Sequence, residues 1–242
     1  MRGNKLNQPG GSDVIVLIHG REVERGRTVA VQDFAAYGAR DYGRPARDPK
    51  TGSLPPKLAQ AMVNLAEVVP GGRIHDPFVG TGTVLQEALL LGYQTSGSDL
   101  DPGMVAKAKT NLDWLRTQYR PGLAASPLEA APADKFTAPP ASLDAVVTEG
   151  TLGHGPADAP AITDLWRKVL VYVRPLLKPG GTIVLTWPVF TGPDGSGTAV
   201  SLLDELPKLG YRAQDLLPKH SSLRYERPGQ VVRRQLYRLT PA

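Results

Sequence analysis

The run Asp76-Pro77-Phe78-Val79-Gly80-Thr81-Gly82-Thr83 places a carboxylate, a proline and two glycines directly after an apolar stretch, where a core strand would end. Such residues weaken a core and suit a ligand. Gly80 and Gly82 lack a Cβ, so the backbone can take unusual dihedrals, a ligand can approach closely, and peptide N–H groups become donors. Twenty-three residues after Asp76 comes Gly97-Ser98-Asp99, whose carboxylate can accept both hydrogen bonds of a ribose diol. The residue three beyond Gly82 is Leu85, which weakens a dinucleotide fingerprint, and no Gly-Lys-Ser/Thr follows, which argues against a phosphate-binding P-loop. Together the two signals suit an adenosine without a pyrophosphate. The plainer alternatives are a tight turn with a capping carboxylate at Asp76, and a helix cap from Asp99 or Asp101 ahead of Pro102.

Residues of this kind work at the carboxyl ends of strands in an open parallel sheet, and the surrounding pattern supplies one. From Pro55 a helical spacing of Leu58, Met62, Leu65 and Val69 runs to Gly71 and Gly72. Strands are then expected at 73–78, 94–99, 122–126, 143–148 and 181–187, with helices at 83–91, 101–118, 161–177 and 201–209. This alternation predicts an α/β fold with a mostly parallel sheet and helices on both faces. The last part, YRAQDLLP and QVVRRQLYRL, reads as two strands joined by a turn near Pro228 and Gly229, forming an antiparallel edge hairpin. The stretch 124–141 reads as a loop, and TGPDGSG (191–197) as a flap or a connection. Before residue 54 there are strand-like runs at 14–19 and 28–34 and a Gly/Pro/Arg-rich connector. Residues 1–53 are thus expected to be a short extension and 54–242 the main domain.

At 242 residues with 41% hydrophobic content, the chain can bury one substantial core. The absence of cysteine excludes disulfides and thiolate metal sites and is compatible with a cytoplasmic location. The start lacks the apolar centre of a secretory signal, and no apolar run approaches a bilayer span, so a soluble protein is expected. There are 28 Lys and Arg against 23 Asp and Glu, a net charge of +5. The excess concentrates in Arg40, Arg44, Arg47, Lys50 and Lys57, and in Arg212, Lys219, Arg224, Arg227, Arg233, Arg234 and Arg238. These segments are either solvated surface or contacts to nucleic acid.

The block Asp-Pro-Phe-x-Gly-x-Gly-x followed by Gly-x-Asp-x-Asp-Pro resembles the class I methyltransferases, and within them the enzymes that methylate exocyclic amines of nucleic acids. The resemblance implies a Rossmann-like domain with a seven-stranded sheet and S-adenosyl-L-methionine as cofactor, with no metal. By it Asp76, Phe78, Gly80, Thr81, Gly82 and Thr83 line the methionine part, Asp99 holds the ribose, Leu100 packs on the adenine, and Ser126 follows the third strand as a weak match for the adenine-binding position. KPGG at 178–181 looks like the turn into the fifth strand of that fold. The front segment AVQDFAAYGARDYGRPARDPKTGSLPPKLAQAMVNLAEV, with LRYERPGQVVRRQLYRL near the end, resembles the catalytic domain of THUMP-associated tRNA guanosine-N2 methyltransferases.

That family ends its fourth strand in Asp-Pro-Pro-Tyr, where the acidic group orients the target amine and the ring stacks on the base. Here the chain reads Glu149-Gly150-Thr151-Leu152. Glu149 keeps a carboxylate, whereas the prolines and the ring are gone. The resemblance therefore implies an amine methyltransferase acting on tRNA guanosine N2, with three outcomes open: an altered acceptor such as a DNA amine, slow transfer, or a cofactor-binding interaction module. His154 and Trp187 lie on the same expected edge, Trp187 as a stacking ring or as packing. Tyr42 and Arg44 either reach the ligand or pin the front segment. About fifty residues precede the first core helix, too few for the RNA-capture module, so capture is expected from the basic segments or from another chain.

Overall fold

The computed structural model describes residues 13–48, 54–191, 197–226 and 232–242. It divides into two compact units, Met1–Ala39 and Arg40–Ala242.

In the first unit, β1 (Val14–His19) pairs antiparallel with β2 (Glu22–Arg27). Gly20, at φ 62°, allows the tight turn between them. The second strand was expected at 28–34 on its apolar content. The charged run EVERGR forms it instead, because local pairing through the turn outweighs composition. Phe34 then begins α1 (Phe34–Asp41), whose first turn is capped where the Ala36 N–H donates to Asp33 Oδ1 at 3.0 Å.

The second unit is built on one sheet. Its strands are β3 (Arg73–Asp76), β4 (Gln94–Asp99), β5 (Leu128–Ala130), β6 (Leu143–Glu149), β7 (Leu177–Thr191), β8 (Gly197–Ala199), β9 (Tyr211–Gln214), β10 (Ser222–Tyr225) and β11 (Val232–Pro241). The order is β10-β11-β7-β6-β3-β4-β5, with β8 on β7 and β9 on β11. Strands β5, β4, β3, β6 and β7 run parallel, and β11 adds antiparallel to β7. The expected seven-stranded path with an antiparallel C-terminal hairpin is present, and β8 and β9 extend it. The strand before the hairpin turn is β10 rather than the expected YRAQDLLP, whose β9 pairs antiparallel with the other end of β11. That turn at Pro228 and Gly229 and most of the 191–197 loop lie outside the described residues.

Helices α2 (Pro56–Leu65), α3 (Thr83–Leu90), α4 (Pro102–Tyr119) and α5 (Ala159–Val173) cover the sheet. Period-2 alternation assigns the faces. Ala145, Val147 and Val184 pack with Leu58, Met62 and Val63 of α2, while Val146, Ile183 and Leu185 pack with Ile162, Trp166 and Val169 of α5. A third cluster, Val79, Leu85, Leu89, Ala108, Leu112 and Leu115, locks α3 to α4 beneath the glycine loop. None of the described helices is long and apolar enough to cross a membrane.

Four further expectations are corrected. Helix α2 stops at Leu65, leaving Val69 exposed, as Glu67 adopts φ 52°. The third parallel strand is 128–130, not 122–126, because the partners of β4 that it must meet are Gly97–Asp99. The segment 201–209 forms turns rather than an α-helix, since Pro207 has no N–H to continue the ladder. KPGG lies within β7 as an irregularity, with Gly180 at φ 78° and the register shifting between Leu143 and Ala145.

Candidate active site

Strand β3 ends at Asp76, and the chain turns through Gly80 (φ 50°) and Gly82 (φ 88°) into α3. Gly82 needs its glycine for the left-handed backbone, since an added Cβ would meet Ala108 of α4 only at an ordinary 3.4 Å. At Gly80 a Cβ would meet only Phe78 O at 3.9 Å, so the outer side of the loop is open. The Gly80 N–H donates to Asp99 Oδ2 at 2.8 Å, and the Asp101 N–H donates to Asp99 Oδ1 at 3.0 Å. These two bonds fix a half-buried carboxylate beside the glycine loop. Helix α4 is capped by Asp101, whose Oδ1 accepts from the Gly103 N–H at 2.7 Å, so Asp99 is not its cap. Next to it Leu100 is 74% exposed.

Asp76 is buried. Its Oδ1 accepts from Thr148 Oγ1 at 2.6 Å and from the Phe78 N–H at 3.0 Å, tying the tip of β3 to that of β6. Burial pushes its carboxyl up to about 7, with the nearby Asp99 and Glu149 adding to the rise and the two hydrogen bonds opposing it. Upstream in β3, His75 stacks on Phe136 with ring centroids 3.9 Å apart, and burial lowers its pKa to about 3. It is a neutral core histidine.

The front segment backs the loop from below. Arg40 forks onto Glu87 of α3, with Nε donating to Oε1 at 2.6 Å and Nη2 to Oε2 at 3.1 Å. Arg44 Nη1 donates to Thr83 Oγ1 at 2.7 Å. Asn111 of α4 donates through Nδ2 to the carbonyls of Ala46 and Thr81 at 2.7 and 2.8 Å, and its Oδ1 accepts from the Ala46 N–H at 2.8 Å. Arg44 is therefore a pin, while Tyr42 is exposed with the Arg47 guanidinium 5.5 Å from its ring centroid.

At the tip of β6, Glu149 accepts a fork from Arg234 of β11, Nε to Oε1 and Nη2 to Oε2, the latter at 3.4 Å. The side chains are 13% and 7% exposed. Burial raises the Glu149 pKa, and the guanidinium opposes that rise. Gly150 lies against Trp166, where an added Cβ would fall 2.5 Å from Cζ2. Phe78 leans on the same indole at 5.4 Å between centroids. Beyond it Thr151 is exposed, Leu152 half-buried, and His154 solvent-facing with its N–H on Asp158 Oδ2 at 2.6 Å.

The structure thus brings Phe78, Gly80, Asp99 and Leu100 to one open rim, with Asp76, Glu149 and Gly150 at the adjoining strand tips. Thr81 and Thr83 are buried beneath it. Ser126 is not at the rim. Its Oγ bonds Thr95 Oγ1 at 2.6 Å near the start of β4, and the end of β5 is Ala130, followed by Ala131. Trp187 is fully buried against Tyr237, so it packs rather than stacks on a ligand. Among the basic residues expected to meet nucleic acid, Arg40, Arg44 and Arg234 are buried in internal bonds, and Arg238 pairs with Glu67 at 2.8 Å. Lys50 and Arg227 lie outside the described residues. The partner that sequence reasoning missed is Arg234. Its only sequence signal was membership in a basic run.

The model of a protein family described as UPF0020, the RMKL-like methyltransferase domain, matches residues 44–189. A tRNA (guanine(10)-N2)-dimethyltransferase of Methanothermobacter thermautotrophicus is 31% identical over 209 residues, which is 86% of this chain and 57% of that protein. The chain therefore spans little more than half the length of this relative. Among solved structures, TrmN from Thermus thermophilus matches with a TM-score of 0.59 at 22% identity, over 95% of this chain and 59% of that one. A Burkholderia thailandensis 1,6-didemethyltoxoflavin-N1-methyltransferase, solved with S-adenosylhomocysteine, matches with a TM-score of 0.55 at 16% identity, over 93% of this chain and 98% of that one. At such identities the two structures speak for the fold, whereas the range of the family match, 44–189, includes the glycine loop, Asp99 and the Glu149 turn. On that match, the chain belongs to the UPF0020 family of methyltransferase domains.

Proposed function

We propose that the chain transfers a methyl group from S-adenosylmethionine to an exocyclic amine of a nucleic acid, with N2 of a tRNA guanosine as the leading acceptor. The observation that carries the cofactor is the Asp99 carboxylate, fixed by the Gly80 N–H and flanked by the exposed Leu100. An acceptor for a ribose diol, an apolar face for a base and a glycine turn with open space outside it fit an adenosine. When bound, this cofactor supplies a methyl group on a sulfonium, open to in-line displacement.

The chain's own residues hold and orient. Asp99 accepts from the ribose, Leu100 covers the base, and Phe78 with the Gly80 backbone bounds the remainder. Asp76 supports the loop and adds negative potential beneath it. Glu149 accepts from the acceptor amine and aims its lone pair, so catalysis is mainly positioning. The relative's printed substrate, a tRNA guanine, supports the choice of acceptor. The buttress Arg40–Asp48 works with residues 54–242 as one catalytic unit in this reading. Among the described residues of the two basic segments, exposed Arg47, Lys57, Arg212, Lys219 and Arg224 can meet an RNA backbone, with a partner chain as the other route to capture.

A second reading is favoured by the Glu149–Arg234 fork and by Leu152, which offers no π-face for stacking worth about 1–3 kcal/mol per base. It is a cofactor-binding interaction module without transfer. Incubation with methyl-labelled S-adenosylmethionine and total tRNA or DNA decides between them. Label in N2-methylguanosine of digested tRNA is expected. Label in DNA alone would move the acceptor, and cofactor binding without transfer to either would leave the module.

A further inference from the structure

We propose that Arg234 is a positioning residue of the acceptor site, holding the Glu149 carboxylate charged and in one orientation; the inference rests on the acceptor role given to Glu149 above. The two residues lie 85 positions apart in the chain. Strand order brings them together. On β7, Glu149 stands opposite Thr186 and Arg234 opposite Pro188, so the pair spans β7 from β6 to β11. Both belong to the sheet face that carries Val147, Val184 and Leu236.

The fork has a chemical consequence. A carboxylate offers about four lone-pair sites, and the two bonds from Arg234 use one on each oxygen. The other site on each oxygen remains for an incoming amine N–H. Without the guanidinium, burial and the Asp76 carboxyl of β3 would both favour a protonated Glu149, which turns one oxygen into a donor and leaves the other a weaker acceptor. Arg234 of β11 is the cation that opposes them, and the β7 neighbours Thr186 and Trp187 are uncharged. The four residues after Glu149 are Gly150, Thr151, Leu152 and Gly153, and the first proline comes only at Pro156. Here the fork restrains the side chain, and Gly150 against Trp166 restrains the backbone.

The test uses the full chain with ¹³C-carboxyl glutamate, the Glu149 resonance being assigned by its loss in Glu149→Gln. In Arg234→Met the Glu149 midpoint should rise by about one pH unit or more. The acid limb of methyl transfer to total tRNA should rise with it, and kcat/KM at neutral pH should fall about tenfold or more. Arg234→Lys, which keeps the charge and loses the fork, should restore most of the midpoint and only part of the rate, and it serves if the Met variant fails to fold. A Glu149 midpoint unchanged in Arg234→Met, or an acid limb that stays put while the midpoint moves, would overturn the proposal. Wild-type protein that moves no label to tRNA or DNA, while the midpoint still shifts, would refute the methyltransferase reading and leave the hold of Arg234 on Glu149 standing.

Discussion

Three aspartates show how little of a residue's role its type determines. Asp101 caps a helix, Asp99 is held half-exposed by two backbone N–H groups, and Asp76 is sealed in with a hydroxyl and a peptide for company. The middle one alone is both partly exposed and tied to the glycine loop. Asp76 acts through its charge, and its charge is conditional: burial holds its carboxyl up to about 7, so at neutral pH the free protein is a mixture of both forms. A cationic ligand beside it stabilises the ionised form. Binding of S-adenosylmethionine near pH 7 should therefore release a fraction of a proton. The released fraction should fall as pH rises above the Asp76 value, where the carboxyl is already ionised. Calorimetric enthalpies in buffers of different ionisation heat measure it directly, and Asp76→Asn should abolish it. Equal enthalpies in all buffers would mean that Asp76 does not sense the ligand.

Elements hold these residues in place through long-range staples. The Arg40–Glu87 fork is buried at both ends, with side chains 7% and 0% exposed. Removing one partner strands a buried charge, so Arg40→Met should cost about 3–5 kcal/mol in urea unfolding, and Arg40→Met with Glu87→Met should recover much of it. At the acceptor loop, Gly150→Ala should push the backbone off Trp166, destabilise by about 1–3 kcal/mol and lower transfer more than cofactor affinity. Unequal legibility follows from the same geometry. The glycine loop and Asp99 could be read because their chemistry is local to neighbouring strand–turn–helix units. β5 escaped because its Ala/Pro-rich surroundings carry no alternation, and only its pairing with Gly97–Asp99 fixes it. Segment 201–209 had helical spacing, with Leu202 and Leu206 buried as a helix would have them, yet Pro207 broke the ladder. Arg234 was hidden more deeply, since nothing near it in sequence indicates that β11 lies beside β7.

Across the whole molecule, the arginines of the basic segments divide between internal partners and open surface. The pairs Arg40–Glu87, Arg234–Glu149 and Arg238–Glu67 each cancel, so the +5 falls on the remaining residues. Arg40, Arg44, Arg234 and Arg238 serve internal bonds, while Arg212, Lys219 and Arg224 remain exposed. If these three meet phosphates, each change to Ala should reduce the slope of log affinity for tRNA against log salt by about one. An unchanged slope would place the RNA elsewhere. The proposed chemistry rests on the glycine loop and Asp99 at the neighbouring tips of β3 and β4. Its most direct test is calorimetric titration of S-adenosylhomocysteine into the wild-type chain and Asp99→Ala. One molecule per chain should bind the wild type, and the variant should bind about ten- to a hundredfold more weakly, the loss expected for hydrogen bonds to a charged group. Saturable binding with the same affinity in both proteins, or no binding to either, would contradict the account.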